Sequence, residues 1–309
     1  MLAWLPGAIR IPLAVLLLML NIIVHVVPLL TFTLIKLLVP VAALRRGLSR
    51  VLVVIAESWI GVNNRLFELF TRTRWDVVGL EGLRTDGNYL VLCNHQSWVD
   101  IPVLQKVFNR RIPFLRFFLK SQLIWVPLLG PAWWALDFPF MKRYSREKLL
   151  RHPQLQGKDM AATRRACEKF RHMQVSVMNF VEGTRFTRAK HDAQSSPFRH
   201  LLRPKAGGVA FVLDAMGEAL HAIVDVTIVY MDGPCTMMDL FAGRVRHVQV
   251  EVRELPIGPE LRGDYDHDLT FRGRVKTWVR DLWRDKDARI ERMLATTDGG
   301  DAQPAPTGD

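Results

Sequence analysis

Apolar residues crowd the first forty positions of this 309-residue chain, and charged residues fill the remainder. Between Ile11 and Ile35 the run IPLAVLLLMLNIIVHVVPLLTFTLI carries no formal charge. As a helix it is long enough for a bilayer core of about 30 Å, which needs roughly 20 apolar residues. A secretory signal peptide has a shorter apolar region and a cleavage site of small residues; here the run is longer and no such site follows. The pattern predicts a retained membrane segment, either crossing the bilayer or turning back at Pro28 within one leaflet. Arg10 precedes the run, and Lys36, Arg45, Arg46 and Arg50 follow it. That basic cluster favours placing the body of the chain on the cytoplasmic side.

From Val51 to Phe70 apolar residues recur at mixed three- and four-residue spacing, which predicts an amphipathic helix on the membrane or against the domain. Strand-like runs follow at Trp75–Val78, Tyr89–Cys93, Val175–Val181 and Ile223–Tyr230, with helical segments at Asp159–Met173 and Pro204–Met216. Val248, Val250 and Val252 alternate with polar residues, as in a strand nearer a sheet edge. Strands alternating with helices predict an α/β fold: a central, mostly buried β-sheet flanked by helices, preceded by the hydrophobic helix or helical hairpin. Trp278, Leu282, Trp283, Ile290 and Leu294 fall at helical spacing within Gly263–Ala295. Thr187–Pro204 reads as a long polar loop, and no internal repeat is visible. Four parts are expected. Membrane-anchoring helices occupy 1–70 and an α/β domain 71–232. A C-terminal extension of strand and amphipathic helix occupies 233–295, and a disordered tail 296–309.

Charge narrows the partners. The formal net charge is +12 and the sequence pI about 10.0, so an anionic partner is implied: nucleic acid, acidic lipid headgroups or a phosphorylated substrate. The apolar N-terminus selects lipid, and no nucleic-acid partner is expected. Three scattered cysteines, Cys93, Cys167 and Cys235, form neither a disulfide framework nor a metal quartet. Between Ile101 and Leu136 there are five basic residues (Lys106, Arg110, Arg111, Arg116, Lys120) and no acidic one. They are interleaved with Phe108, Phe114, Phe117, Phe118, Trp125, Trp133 and Trp134. That mixture suits a membrane-interfacial surface; the alternative is a core helix pair with a basic polar face.

Two polar clusters stand at the ends of apolar strands. Asn94-His95-Gln96-Ser97-Trp98-Val99-Asp100 follows Tyr89–Cys93 directly. Strand ends are where α/β sheets present reactive groups, and histidine exchanges protons near neutrality. If a turn follows His95, Asp100 can return to one ring nitrogen, fix the tautomer and leave the other nitrogen as base. Histidine and aspartate at that spacing also occur as a packed side chain and a helix cap. The second cluster, Glu182-Gly183-Thr184-Arg185, closes Val175–Val181. Gly183 permits a close turn, Arg185 offers a fork of donors suited to phosphate, and Glu182 can brace a neighbouring loop.

Asn94-His95-x4-Asp100, followed about 80 residues later by Glu182-Gly183-Thr184-Arg185, resembles the glycerolipid acyltransferases, including the 1-acylglycerol-3-phosphate acyltransferases. Phe140-Met141-Lys142-Arg143 resembles the second block of that family, and the segments around Lys120 and Lys205 match it as well. The fourth block usually holds a proline-valine pair; here Ala222-Ile223-Val224-Asp225-Val226-Thr227 stands in its place. In this the chain is similar to the branch of lysocardiolipin and related lysophospholipid acyltransferases, with its bacterial inner-membrane members. The resemblance implies direct transfer of a fatty acyl group to the free hydroxyl of a lysophospholipid or lysophosphatidic acid. Acyl-CoA or acyl carrier protein would be the co-substrate, with no other cofactor and no acyl-enzyme. His95 and Asp100 are the implied catalytic pair. Lys142, Arg143 and Arg185 are implied to grip the acceptor phosphate, with Gly183 and Thr184 shaping its pocket and Glu182 bracing it. Asn94, Ser97 and Trp98 are expected to line the substrate.

Other signals are weaker. Cys93 lies next to the histidine motif, but apolar strands often bury cysteine. Ser97 is in no Gly-x-Ser-x-Gly elbow, and no metal site is expected. A hydrolase using the same His95–Asp100 pair is the alternative enzyme; a basic lipid- or nucleic-acid-binding protein is the alternative without chemistry.

Overall fold

The computed structural model describes residues 2–141, 151, 164 and 167–298. The N-terminal apolar run forms one helix, α1 (Gly7–Leu38), continuous through Pro12 and Pro28. A turn at Pro28 is therefore not what happens. The chain reverses at residues 39–41, and α2 (Ala42–Phe70) packs back along α1. Polar groups pin the pair: Asn21 donates to Trp59 O and Asn63 Oδ1, and the His25 ring pairs with Ser58 Oγ. At 32 residues, α1 is about 48 Å long. It is the one helix among the described residues long and apolar enough to cross a membrane. Both of its ends touch the rest of the protein. The Arg10 guanidinium packs on Gly243, and Lys36 lies 4.0 Å from Asp137.

After α1 and α2 come β1 (Arg74–Val78), β2 (Tyr89–Cys93), α3 (Asp100–Phe108), β3 (Leu115–Phe117), β4 (Leu119–Lys120), α4 (Leu129–Ala135), β5 (Phe140–Met141) and β6 (Ser176–Phe180). The chain continues through α5 (Arg188–Ala193), α6 (Ala206–Met216), β7 (Ala222–Tyr230), α7 (Met237–Phe241), β8 (His247–Leu255) and α8 (Leu269–Asp298). Six strands form one mixed sheet in the order β1-β8-β7-β2-β6-β3, while β4 and β5 pair separately. β2, β3, β6 and β7 run parallel, so their carboxyl ends share one edge. β8 is antiparallel to β7 and parallel to β1.

Burial explains the sequence pattern. β2 and β7 are covered on both faces, and all of their residues are buried; such strands read as unbroken apolar runs. β8 alternates, with Val248, Val250 and Val252 inward. Tyr89, Val91 and Cys93 face a core shared with α1, α2 and α3, whereas Leu90 and Leu92 face one shared with α6 and α8. The inward stripe of α8 is Phe271, Val275, Val279, Trp283, Lys286 and Ile290.

The mixed basic and aromatic stretch from Ile101 to Leu136 is not one surface. Phe108, Phe114, Leu115 and Phe117 are core residues. Arg116 is buried, with Nε donating to Leu136 O at 2.8 Å, and burial pushes its guanidinium down to about 10. Of its basic and large apolar side chains, Arg110, Arg111, Lys120, Trp125, Leu128 and Trp134 remain exposed. The polar loop contains α5, whose first turn is capped by Thr187. Of the expected helix at Asp159–Met173, residues 164 and 167–170 are helical, while 159–163, 165 and 166 lie outside the described residues, as do Lys142, Arg143 and positions 299–309.

Candidate active site

Because β2, β6 and β7 are parallel and in register (Cys93 opposite Phe180 and Val226), the segments leaving them emerge side by side. The turn after β2 brings Asp100, at the start of α3, back onto the histidine. His95 Nδ1 lies 2.7 Å from Asp100 Oδ2, the same oxygen that accepts from Gln96 N at 2.7 Å and Ser97 N at 2.9 Å. The second oxygen, Oδ1, accepts from the Tyr230 hydroxyl at 2.6 Å. Asp100 is wholly buried, and its place in the first turn of α3 sets a negative charge where the helix dipole favours one. A carboxylate on Nδ1 directs a proton to that nitrogen and leaves Nε2 as the basic atom. Nε2 has no hydrogen-bond partner among the described residues, and the side chain is 14% exposed. One ring face stacks on Phe180, centroids 3.9 Å apart at 13°.

The turn after β6 is tied to the same point. Glu182, also buried, accepts from His95 N through Oε1 and from Leu202 N through Oε2, both at 3.2 Å. Burial pushes its carboxyl up to about 8, against those two N–H bonds, which pull it down. Phe186 N donates to His95 O at 2.7 Å. Gly183 has φ +69°, a left-handed conformation that favours glycine, and a Cβ there would press on the Lys205 side chain at 3.1 Å. Arg185 lies outside, its guanidinium 4.8 Å from the exposed Trp98 ring. Lys190 Nζ donates to Thr184 Oγ1 and Arg185 O, fixing the backbone that carries the guanidinium.

The structure therefore brings together His95, Trp98, Asp100, Glu182, Gly183, Thr184 and Arg185. Asn94 and Ser97, expected to line the substrate, turn inward instead. Asn94 is fully buried and bridges Ile228 N and O on β7, each at 2.9 Å, where a backbone ladder would otherwise continue. Ser97 Oγ donates to Cys235 O and accepts from Val99 N. Cys93 is buried, and burial raises its thiol well above the ordinary value, so no ready thiolate stands beside the histidine. Sequence reasoning missed Tyr230 and Phe180, both at strand ends, and also Lys190, and it reached Lys205 only as part of a matched segment. Among the described residues no group of histidine, cysteine and carboxylate side chains is arranged to hold a metal.

Residues 74–231 match the family model described as Acyltransferase. The chain belongs to that family. It is 28% identical over 262 residues to 1-acyl-sn-glycerol-3-phosphate acyltransferase 2 of Arabidopsis thaliana, covering 79% of this chain and 59% of that protein. It is 24% identical over 259 residues to lysocardiolipin acyltransferase 1 of Danio rerio, covering 78% and 61%. The chain thus spans about 60% of the length of these curated relatives. The crystal structure of the 1-acyl-sn-glycerophosphate acyltransferase PlsC from Thermotoga maritima shares the fold, with a TM-score of 0.53 at 20% identity, over 92% of this chain and 99% of that one.

Proposed function

We propose that the protein transfers a fatty acyl group from acyl-CoA or acyl carrier protein to the free glycerol hydroxyl of a lysophospholipid or lysophosphatidic acid. The observation that carries this reading is the His95–Asp100 pair at 2.7 Å, with no described residue bonded to Nε2, beside the turn that bears Arg185. Nε2 takes the proton of the acceptor hydroxyl as the oxygen attacks the thioester carbonyl. When the tetrahedral intermediate collapses, the carbon–sulfur bond breaks and the proton passes to the departing thiolate. Asp100 holds the imidazole in the required tautomer and stabilises the imidazolium between these steps. Arg185 grips the acceptor phosphate, and Lys142 and Arg143 are assigned to the same anion. Holding both substrates makes the step effectively unimolecular, an advantage of up to about 7–11 kcal/mol.

The exposed apolar surface supports the reading, because it suits a protein that works at a membrane. Leu16, Leu20, Val24, Val27 and Leu34 of α1 are exposed, and so are Trp125, Leu128 and Trp134; contiguous exposed apolar surface of this kind needs a lipid or protein partner.

The test is an acyl-transfer assay in membranes, with a lysolipid panel and both thioester donors, read by mass spectrometry. His95→Ala is expected to lower kcat by about a thousandfold with lysolipid binding retained. Arg185→Ala should chiefly raise KM for the lysolipid. Equal loss of binding in both variants would overturn these roles. Fatty acid released from the donor and unaffected by added lysolipid would favour the hydrolase.

A further inference from the structure

Tyr230 is the last residue of β7, far in sequence from the histidine motif, yet its hydroxyl is the only side-chain donor besides His95 that reaches Asp100 among the described residues. The other two donors are main-chain groups of the same turn, and all three local donors converge on Oδ2. Among the described residues Oδ1 depends on the phenol alone. Both groups are buried, so no water can replace the bond without rearrangement. We infer that Tyr230 is a positioning residue for the His95–Asp100 pair: it fixes the rotation of the carboxylate about its own axis, and through it the plane of the imidazole. This rests on the reading of that pair as the catalytic base.

Two features of the site support the inference. Burial and the nearby Asp100 charge raise the phenol well above its ordinary value, so it remains a donor throughout the working pH range. Its strand is also held in place at the same level, since Ile228 N and O both bond to Asn94. A carboxylate robbed of the phenol can meet the need of Oδ1 only by rotating or by taking a proton. Rotation moves the imidazole off line. Proton uptake removes the charge that stabilises the imidazolium.

The phenol hydrogen bond stabilises negative charge on Asp100, and Tyr230→Phe removes that stabilisation while leaving the donors on Oδ2 in place. The other titratable groups that interact with Asp100 are Cys93 on β2, Glu182 after β6 and Cys235 after β7, and Lys286 on α8 acts on Cys93 and Glu182 behind them. All of them are unchanged in Tyr230→Phe.

The experiment compares Tyr230→Phe with Tyr89→Phe in the full-length, membrane-bound protein. Tyr89 is equally buried on the adjacent strand, but its hydroxyl accepts from Arg84 N, away from the site. It reports what loss of a buried tyrosine hydroxyl does to folding alone. Tyr230→Phe is expected to lower kcat by about tenfold, to leave KM for both substrates within about twofold, and to move the acid limb of the kcat/KM profile to higher pH. Tyr89→Phe should leave the limb in place. An unchanged limb and kcat in Tyr230→Phe, or equal effects in the two variants, would overturn the inference. Full activity of His95→Ala would instead remove the reading beneath it.

Discussion

Asp100 and Asp225 are both fully buried in the same α/β body, one at the carboxyl edge of the sheet and one within β7. Their surroundings differ. Asp100 is held by two backbone amides, a phenol and one imidazole. Asp225 meets three cations: Lys286 Nζ 2.6 Å from Oδ1, and Arg253 and Arg289 at 2.9 and 3.0 Å from Oδ2. Burial alone pushes the Asp225 carboxyl up, but Lys286, Arg253 and Arg289 outweigh it and hold the group below its ordinary value. Asp285 and Glu251 balance the remaining charge. The charge of Asp225 is committed to three permanent cations, which suits a structural role. A carboxylate held by neutral donors keeps its strongest charge interaction for whichever partner becomes charged, and here that partner is the histidine.

Three substitutions sharpen the contrast. Asp100→Asn should lower kcat by about three to four orders of magnitude while the circular dichroism spectrum is retained, because it selects the wrong imidazole tautomer. A fall of less than tenfold would make Asp100 as structural as Asp225. Asp225→Ala leaves Lys286 and Arg289 buried without their counter-ion, and the loss is about 3–5 kcal/mol in urea unfolding; the folded fraction should keep kcat within about tenfold. A kcat loss as deep as that of Asp100→Asn would erase the distinction. The third substitution is at Glu182, a buried carboxyl with no salt bridge among the described residues. Its ordinary value of 4.5 is raised to about 8 in the folded protein. The folded state therefore binds more protons than the unfolded chain between those values. Stability should decline as pH rises across that window and level off above it. Glu182→Gln should flatten the decline, measured by urea midpoints from about pH 5 to about pH 8.5.

Much of this was legible in the sequence for physical reasons. β2, β6 and β7 are apolar because both faces are covered, and their limits lie within a residue or two of the apolar runs. His95, Asp100, Glu182 and Arg185 could be picked out because polar residues at the end of a buried strand need a reason to be there. What composition misread was the stretch around Arg116. A guanidinium bonded to a carbonyl and stacked near Phe114 and Phe170 looks the same in sequence as one facing lipid headgroups. Tyr230 was hidden because an aromatic residue closing an apolar strand reads as core; only its distance to Asp100 gives it another role. Lys286 was readable in principle, lying on the stripe of Val279 and Trp283. A cation on the apolar face of a helix calls for a buried acid, and Asp225 was the one interrupting β7.

The sheet order carries a consequence for synthesis. β1 has one strand partner, β8, and the register pairs Arg74 with His247. A nascent chain that has emerged only as far as β7 already holds the histidine motif, yet leaves β1 unpaired and one side of β7 bare. Loop closure over so long a stretch is slow, and unpaired strand edges invite association between chains. The ribosome must therefore deliver residues beyond the Acyltransferase match, which ends at Met231, before this edge is sealed.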